Sequence, residues 1–62
     1  MTQFNQHNAE HVAIVTQAAE EAWLSVACIS ESIKDALLDE GIRPSELAYS
    51  IGLDAARKFK MA

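Results

Sequence analysis

The chain has 62 residues, a net charge of −4 and a single cysteine. A chain of this length buries only about 60% of the surface that its unfolded form exposes, so a marginal core needs a further source of stability. The lone Cys28 excludes a disulfide within the chain, and the negative charge weighs against a general nucleic-acid binder. We therefore expect the chain to be stabilised by oligomerisation.

Half of the residues are hydrophobic but only 6% are aromatic, so the apolar content is mainly aliphatic, as is typical of helix bundles. Cys28 lies in an apolar run and is predicted to be a buried, unreactive thiol, with a bridge between subunits as the alternative. No signal peptide is visible, and acidic residues interrupt every long apolar run, which excludes a transmembrane helix. These features predict a cytoplasmic protein.

Residues 1–8 are polar and without periodicity, and we expect them to form a flexible N-terminal arm. Asn8 is predicted to cap the first helix, since its side-chain oxygen can accept from the amides of the first turn. Glu10 then lies near the positive end of the helix dipole. Asn5 is the alternative start of the helix.

Apolar or small side chains recur at alternating intervals of three and four over residues 9–40. This spacing predicts one long helix that packs along its length against other helices. At about 1.5 Å per residue, the helix would be a rod of roughly 48 Å. The predicted oligomer interface consists of Val12, Val15, Ala19, Ala22, Trp23, Val26, Ile29, Ile33 and Leu37.

A turn over residues 41–43 follows, because Gly41 is the residue type that ends helices in the left-handed conformation. Pro44 favours the first position of a second helix, predicted over residues 44–60. This helix has a row of apolar side chains at intervals of four, which we interpret as its core face. The row consists of Leu47, Ile51, Ala55 and Phe59.

These elements predict an all-α fold with a single helical domain over residues 9–62. The long helix and the shorter one form an antiparallel hairpin, and a second chain completes a four-helix bundle. The expected assembly is a homodimer.

Residues 43–54 resemble the first helix and turn of a helix-turn-helix. The residues that match the motif are Leu47, Ala48, Gly52, Leu53 and Asp54. The resemblance implies a turn at Gly52 and a DNA-binding regulator. The alternative, which we favour, is that Gly52 lies inside one continuous helix and allows close packing. If the resemblance holds, the nucleic-acid contacts would be Arg43, Tyr49, Arg57, Lys58 and Lys60.

The sequence contains no arrangement of residues typical of an enzyme, since the serines lack a nearby histidine and neighbouring carboxylates diverge around the helix. His7 and His11 have the spacing of metal ligands, but two ligands do not make a site. We therefore predict a non-enzymatic protein without cofactor or metal. It would act through protein–protein interaction, as an adaptor, inhibitor or regulator of the kind that phages and other accessory elements encode. The candidate partner contacts are Leu24, Leu38 and Tyr49.

Overall fold

The computed structural model describes residues 2–22 and 25–61, and for Val26, Lys60 and Met61 it describes the backbone alone. It contains three helices: α1 (Ala9–Glu21), α2 (Val26–Asp39) and α3 (Glu46–Met61). Two short strands, β1 (Thr2–Gln3) and β2 (Ile42–Arg43), pair in parallel, with Thr2 opposite Ile42 and Gln3 opposite Arg43. The described part of the chain is therefore mostly helical, as the sequence predicts.

The residues before α1 are bound to the segment that follows α2. The N–H of Thr2 donates to the carbonyl of Gly41 at 3.1 Å, and that of Phe4 donates to the carbonyl of Arg43 at 3.3 Å. The start of α1 therefore lies beside the end of α2, so these two helices are antiparallel, and α3 runs in the same direction as α1. Residues 2–8 are thus held against the helices where the sequence predicted a flexible arm.

Two predicted helix boundaries are confirmed by their local geometry. The side-chain oxygen of Asn8 accepts from the N–H groups of Glu10 at 2.9 Å and His11 at 3.3 Å, so Asn8 caps α1. Gly41 follows the end of α2 with a φ of 71°. This is the left-handed conformation that favours glycine after a helix.

The third helix begins two residues later than predicted, at Glu46 instead of Pro44. The hydroxyl of Ser45 accepts from the N–H of Ala48 at 3.3 Å. This hydrogen bond gives a free amide of the first turn a partner, so Ser45 acts as the cap and Pro44 lies outside the helix.

The prediction of one long helix over residues 9–40 is wrong, because α1 ends at Glu21 and α2 begins at Val26. Ser25 starts the new helix: its backbone is extended and its hydroxyl accepts from the N–H of Cys28 at 3.2 Å. The whole molecule measures 33 × 20 × 16 Å, which is shorter than the predicted rod. The chain therefore folds into three helices and not into the predicted hairpin of two.

The spacing that suggested an interface between chains instead forms the core of a single chain. The buried apolar side chains are Val15, Ala18, Ala19, Ile29, Ile33, Leu37, Ile42, Ala48 and Ala56. Five of them belong to the predicted oligomer interface: Val15, Ala19, Ile29, Ile33 and Leu37. The chain itself covers these five side chains, so they are not accessible to a second chain. Val12 and Ala22 are half-buried, whereas Trp23 and the side chain of Val26 lie outside the described residues.

The predicted core face of α3 is also wrong. The buried row is the neighbouring one, in which Ala48 is 0% exposed, Ala56 is 4% exposed and Gly52 is buried between them. The larger side chains lie outward, with Leu47 42% exposed and Phe59 46% exposed. Small residues therefore face the other helices, and large apolar ones lie at the surface.

Gly52 explains this choice of face. A Cβ atom at this position would clash with Cδ1 of Ile33 on α2 and would lie 3.1 Å from Cγ1 of Val15 on α1. The backbone of α3 therefore lies against both other helices at a point where no side chain fits. Gly52 lies inside the continuous helix α3, so the alternative that we favoured is confirmed and the predicted helix-turn-helix turn is wrong.

This contact gives a double-mutant prediction. Gly52→Ala adds a methyl group that presses on Ile33, and Ile33→Val removes the Cδ1 atom on which it presses. We expect each single variant to lower the free energy of unfolding by about 1 kcal/mol, through overpacking and through a cavity respectively. The double variant should be at least about 1 kcal/mol more stable than the sum of the single effects predicts.

Urea denaturation of the four proteins, followed by circular dichroism, measures these energies. Gly41 supplies the control, because a Cβ atom there meets no neighbouring atom within 4 Å. Gly41→Ala should destabilise through its positive φ alone and should not couple to Ile33→Val. Additive effects of Gly52→Ala and Ile33→Val would show that α3 does not approach α2 at this point.

Candidate interaction surface

Four apolar residues form a stripe along the outer side of α3. They are Leu47, Ile51, Ala55 and Phe59, and we call them the α3 stripe. Residues four apart lie on the same side of a helix, so the stripe is continuous over about 18 Å. Ile51 packs partly against the core, whereas Leu47 and Phe59 are close to half exposed. A continuous row of large apolar side chains at the surface is typical of a protein-binding face.

A shallow groove of about 600 Å³ borders this stripe between α1 and α3. Thr16 and Glu20 line it from the side of α1, and Asp54 and Lys58 line it from the side of α3. Asp54 and Lys58 are both exposed and lie one helical turn apart. The apolar stripe is therefore flanked by charges of both signs.

The residues predicted to contact a partner protein differ in how far their side chains are exposed to solvent. Leu38 is 39% exposed on α2. Tyr49, on α3, is half-buried and packs against the core. Leu24 lies outside the described residues. Leu38 is thus an isolated exposed side chain, and the α3 stripe is the larger apolar surface.

The residues predicted to contact nucleic acid are spread over the length of the molecule. Arg43 lies in β2, before the start of α3, whereas Arg57 and Lys58 are exposed near its end. The twelve residues from Glu46 to Lys58 rise by about 18 Å. The cations at the two ends therefore do not form one patch, and the side chain of Lys60 lies outside the described residues.

Cys28 is exposed, so the prediction of a buried thiol is wrong. The buried positions on α2 are Ile29, Ile33 and Leu37, which follow one another at intervals of four. Cys28 precedes the first of these by one residue and is therefore rotated by about 100° away from the core. The apolar run around Cys28 indicated burial, but the phase of the helix decides it.

His11 stabilises the N-terminal segment. Its side chain is only 8% exposed, and its Nδ1 atom accepts from the N–H of Asn5 at 3.0 Å. The ring also lies beside that of Phe4, with 6.0 Å between the ring centroids. His7 is exposed. Among the described residues, no group of three or more histidine, cysteine, aspartate or glutamate side chains is placed to hold a metal ion.

The exposure of Cys28 can be tested with a thiol reagent. In the folded protein we expect Cys28 to react completely with dithionitrobenzoate, at a rate only severalfold slower than in the unfolded chain, because its side chain is open to solvent. Absorbance of the released thiolate measures the rate. Cys28→Ser supplies the blank and should leave stability unchanged within about 0.5 kcal/mol. Reaction only after denaturant is added would contradict the placement of α2.

Over the described residues, no helix is both long and apolar enough to cross a membrane. Comparison with protein-family models, with curated proteins and with solved structures finds no match to this chain. A function therefore has to be inferred from the surfaces of the chain itself.

Proposed function

We propose that this chain is a small, non-enzymatic protein of the cytoplasm that forms a homodimer through the α3 stripe. It acts by binding another protein, as an adaptor, inhibitor or regulator. The observation that carries the proposal is the outward position of Leu47 and Phe59, which are 42% and 46% exposed although they lie in a row of apolar residues. Such a row is stabilised when a second apolar surface removes it from water.

The dimensions of α3 suit a dimer interface. A specific interface buries about 600 Å² or more on each partner. That is roughly a seventh of the 4193 Å² of accessible surface on this chain. Two copies of α3 packed side by side, with the adjoining α1 helices at their flanks, would bring four helices together along a shared apolar seam.

The spacing of the stripe fits an antiparallel pair of α3 helices. In a twofold dimer, two residues face each other when they lie equally far from the axis on opposite sides of it. With the axis level with Leu53, Leu47 of each chain faces Phe59 of the other, and Ile51 faces Ala55. The small side chain of Ala55 allows the two helices to approach closely.

Two leucines of similar exposure provide a matched test of the dimer. Leu47 lies in the α3 stripe and is 42% exposed, whereas Leu38 lies on α2 and is 39% exposed. We expect Leu47→Gln to weaken dimerisation by about tenfold, because it places a polar group in an apolar contact. Leu38→Gln should leave dimerisation unchanged. Sedimentation equilibrium at micromolar concentration measures both dissociation constants.

Phe59 gives a second readout in the same experiment. Phe59→Gln should also weaken the dimer, because Phe59 and Leu47 face each other across the interface. Circular dichroism should show that all variants are folded. A parent protein that sediments at its monomer mass of 6.8 kDa would refute the dimer. Equal effects of the two leucine variants would refute the choice of surface.

A further inference from the structure

A second groove lies between α1 and α2, and no residue of α3 lines it. Ile14 and Ala18 form its floor on the side of α1, and Ser32 and Ala36 form it on the side of α2. The groove is open and encloses about 210 Å³. This volume is enough for one or two side chains but not for a whole helix, so an occupant would lie over the groove, parallel to its length, and insert side chains into it.

The polar side chain in the floor of the groove, Ser32, already has a hydrogen-bond partner within the chain. The hydroxyl of Ser32 donates to the carbonyl of Ala18 at 3.1 Å. This hydrogen bond also ties the two helices together across the floor. What remains for an occupant in the middle of the groove is mainly the aliphatic surface of Ile14 and Ala36, which are both half-buried.

The two ends of the groove carry acidic side chains. Because α1 and α2 are antiparallel, Glu21 at the end of α1 lies at one end, and Asp39 and Glu40 at the end of α2 lie at the other. The lining among the described residues includes no lysine or arginine. The middle of the groove thus contains Ile14, Ala36 and the uncharged side chain of Gln17, and both ends are negative.

The helix dipoles add to this negative charge. The carboxyl end of a helix carries a partial negative charge, which basic residues usually offset. Neither α1 nor α2 has a basic residue in its last turn, and both end beside acidic ones. This accumulation of negative charge destabilises the isolated chain. A cation at each end of the groove would reduce the electrostatic repulsion.

We propose that the α1–α2 groove binds a helix of a partner protein that carries two basic side chains eleven residues apart, with small apolar residues between them. Ser32 lies beside Ala18, and Asp39 lies seven residues further along α2, so Asp39 is level with about residue 11 of α1. Glu21 and Asp39 are therefore about ten residues, or about 15 Å, apart along the groove. Two residues eleven apart on a helix lie on one face at nearly the same separation. The basic groups meet the acidic ends, and the apolar residues cover Ile14 and Ala36.

A second copy of this chain does not match the groove. Its basic residues are Lys34, Arg43, Arg57, Lys58 and Lys60, and no two of them are eleven apart. Nucleic acid is excluded by the charge of the groove. The inference rests on the proposed function in that the chain acts by binding another protein, but it does not depend on the dimer.

A designed peptide tests the groove directly. The probe is a helical peptide of alanine, leucine and arginine with its two arginines eleven residues apart. The control has the same composition with the arginines nine residues apart, on opposite faces of the helix. Each is titrated at low salt into the isotope-labelled full chain, and amide chemical shifts are recorded by nuclear magnetic resonance.

We expect the spaced peptide to bind more tightly than the control and to shift the amides that line the groove on α1 and α2. Its affinity should fall as salt is added. Glu21→Gln and Asp39→Asn should each weaken binding by about two- to fivefold. Glu46→Gln removes an acid from the start of α3, outside the groove, and should have no effect.

Equal affinity for the two peptides would overturn the proposal. So would shifts confined to α3, or a loss of affinity in Glu46→Gln as large as that in Glu21→Gln. Sedimentation equilibrium on the same samples separates this proposal from the dimer. A monomeric chain that binds the spaced peptide in the groove would refute the dimer and support the groove.

Discussion

The structure depends on the close approach of α3 to the other two helices at Gly52. A glycine inside a helix costs about 1 kcal/mol relative to alanine. Here it lets the backbone of α3 lie directly against Val15 and Ile33, which are both 0% exposed. Ala48 and Ala56 extend this contact by one turn on either side. The short chain thus builds a core of its own from small residues on α3 and larger ones on α1 and α2. Leu47 and Phe59 of α3 lie outside that core.

The helix ends that the sequence predicted correctly are those with a local signal. Asn8 accepts from two amides of the first turn, and Gly41 has a positive φ, and both properties follow from the residue type. Apolar spacing alone does not reveal the break between α1 and α2, because the spacing is the same whether the chain continues in one direction or reverses. Two antiparallel helices that bury one face each give nearly the same pattern as one long helix. Ser25 was the available signal, since serine is a favoured helix cap.

The face of α3 could not be chosen from spacing alone, because two neighbouring rows both repeat every four residues. Hydrophobicity favours the row of Leu47 and Phe59 as the core, but the space between three short helices favours the row of Gly52. The consequence for function is large, since the first choice buries Leu47 and Phe59 and the second leaves both at the surface of α3. The α1–α2 groove was likewise invisible in the sequence, because Glu21 and Asp39 border one groove only when the chain reverses between them.

The reversal of the chain between α1 and α2 is the central claim, and a distance between spin labels tests it most directly. Glu10 and Asp39 are exposed and lie near the ends of α1 and α2 that meet. Cysteines at these positions in a Cys28→Ser chain, labelled and diluted with unlabelled protein, give the distance by pulsed electron resonance. Neighbouring antiparallel helices pack about 10 Å apart, so with the label arms we expect roughly 20 Å or less. One continuous helix would separate these positions by about 44 Å, and such a distance would contradict the account.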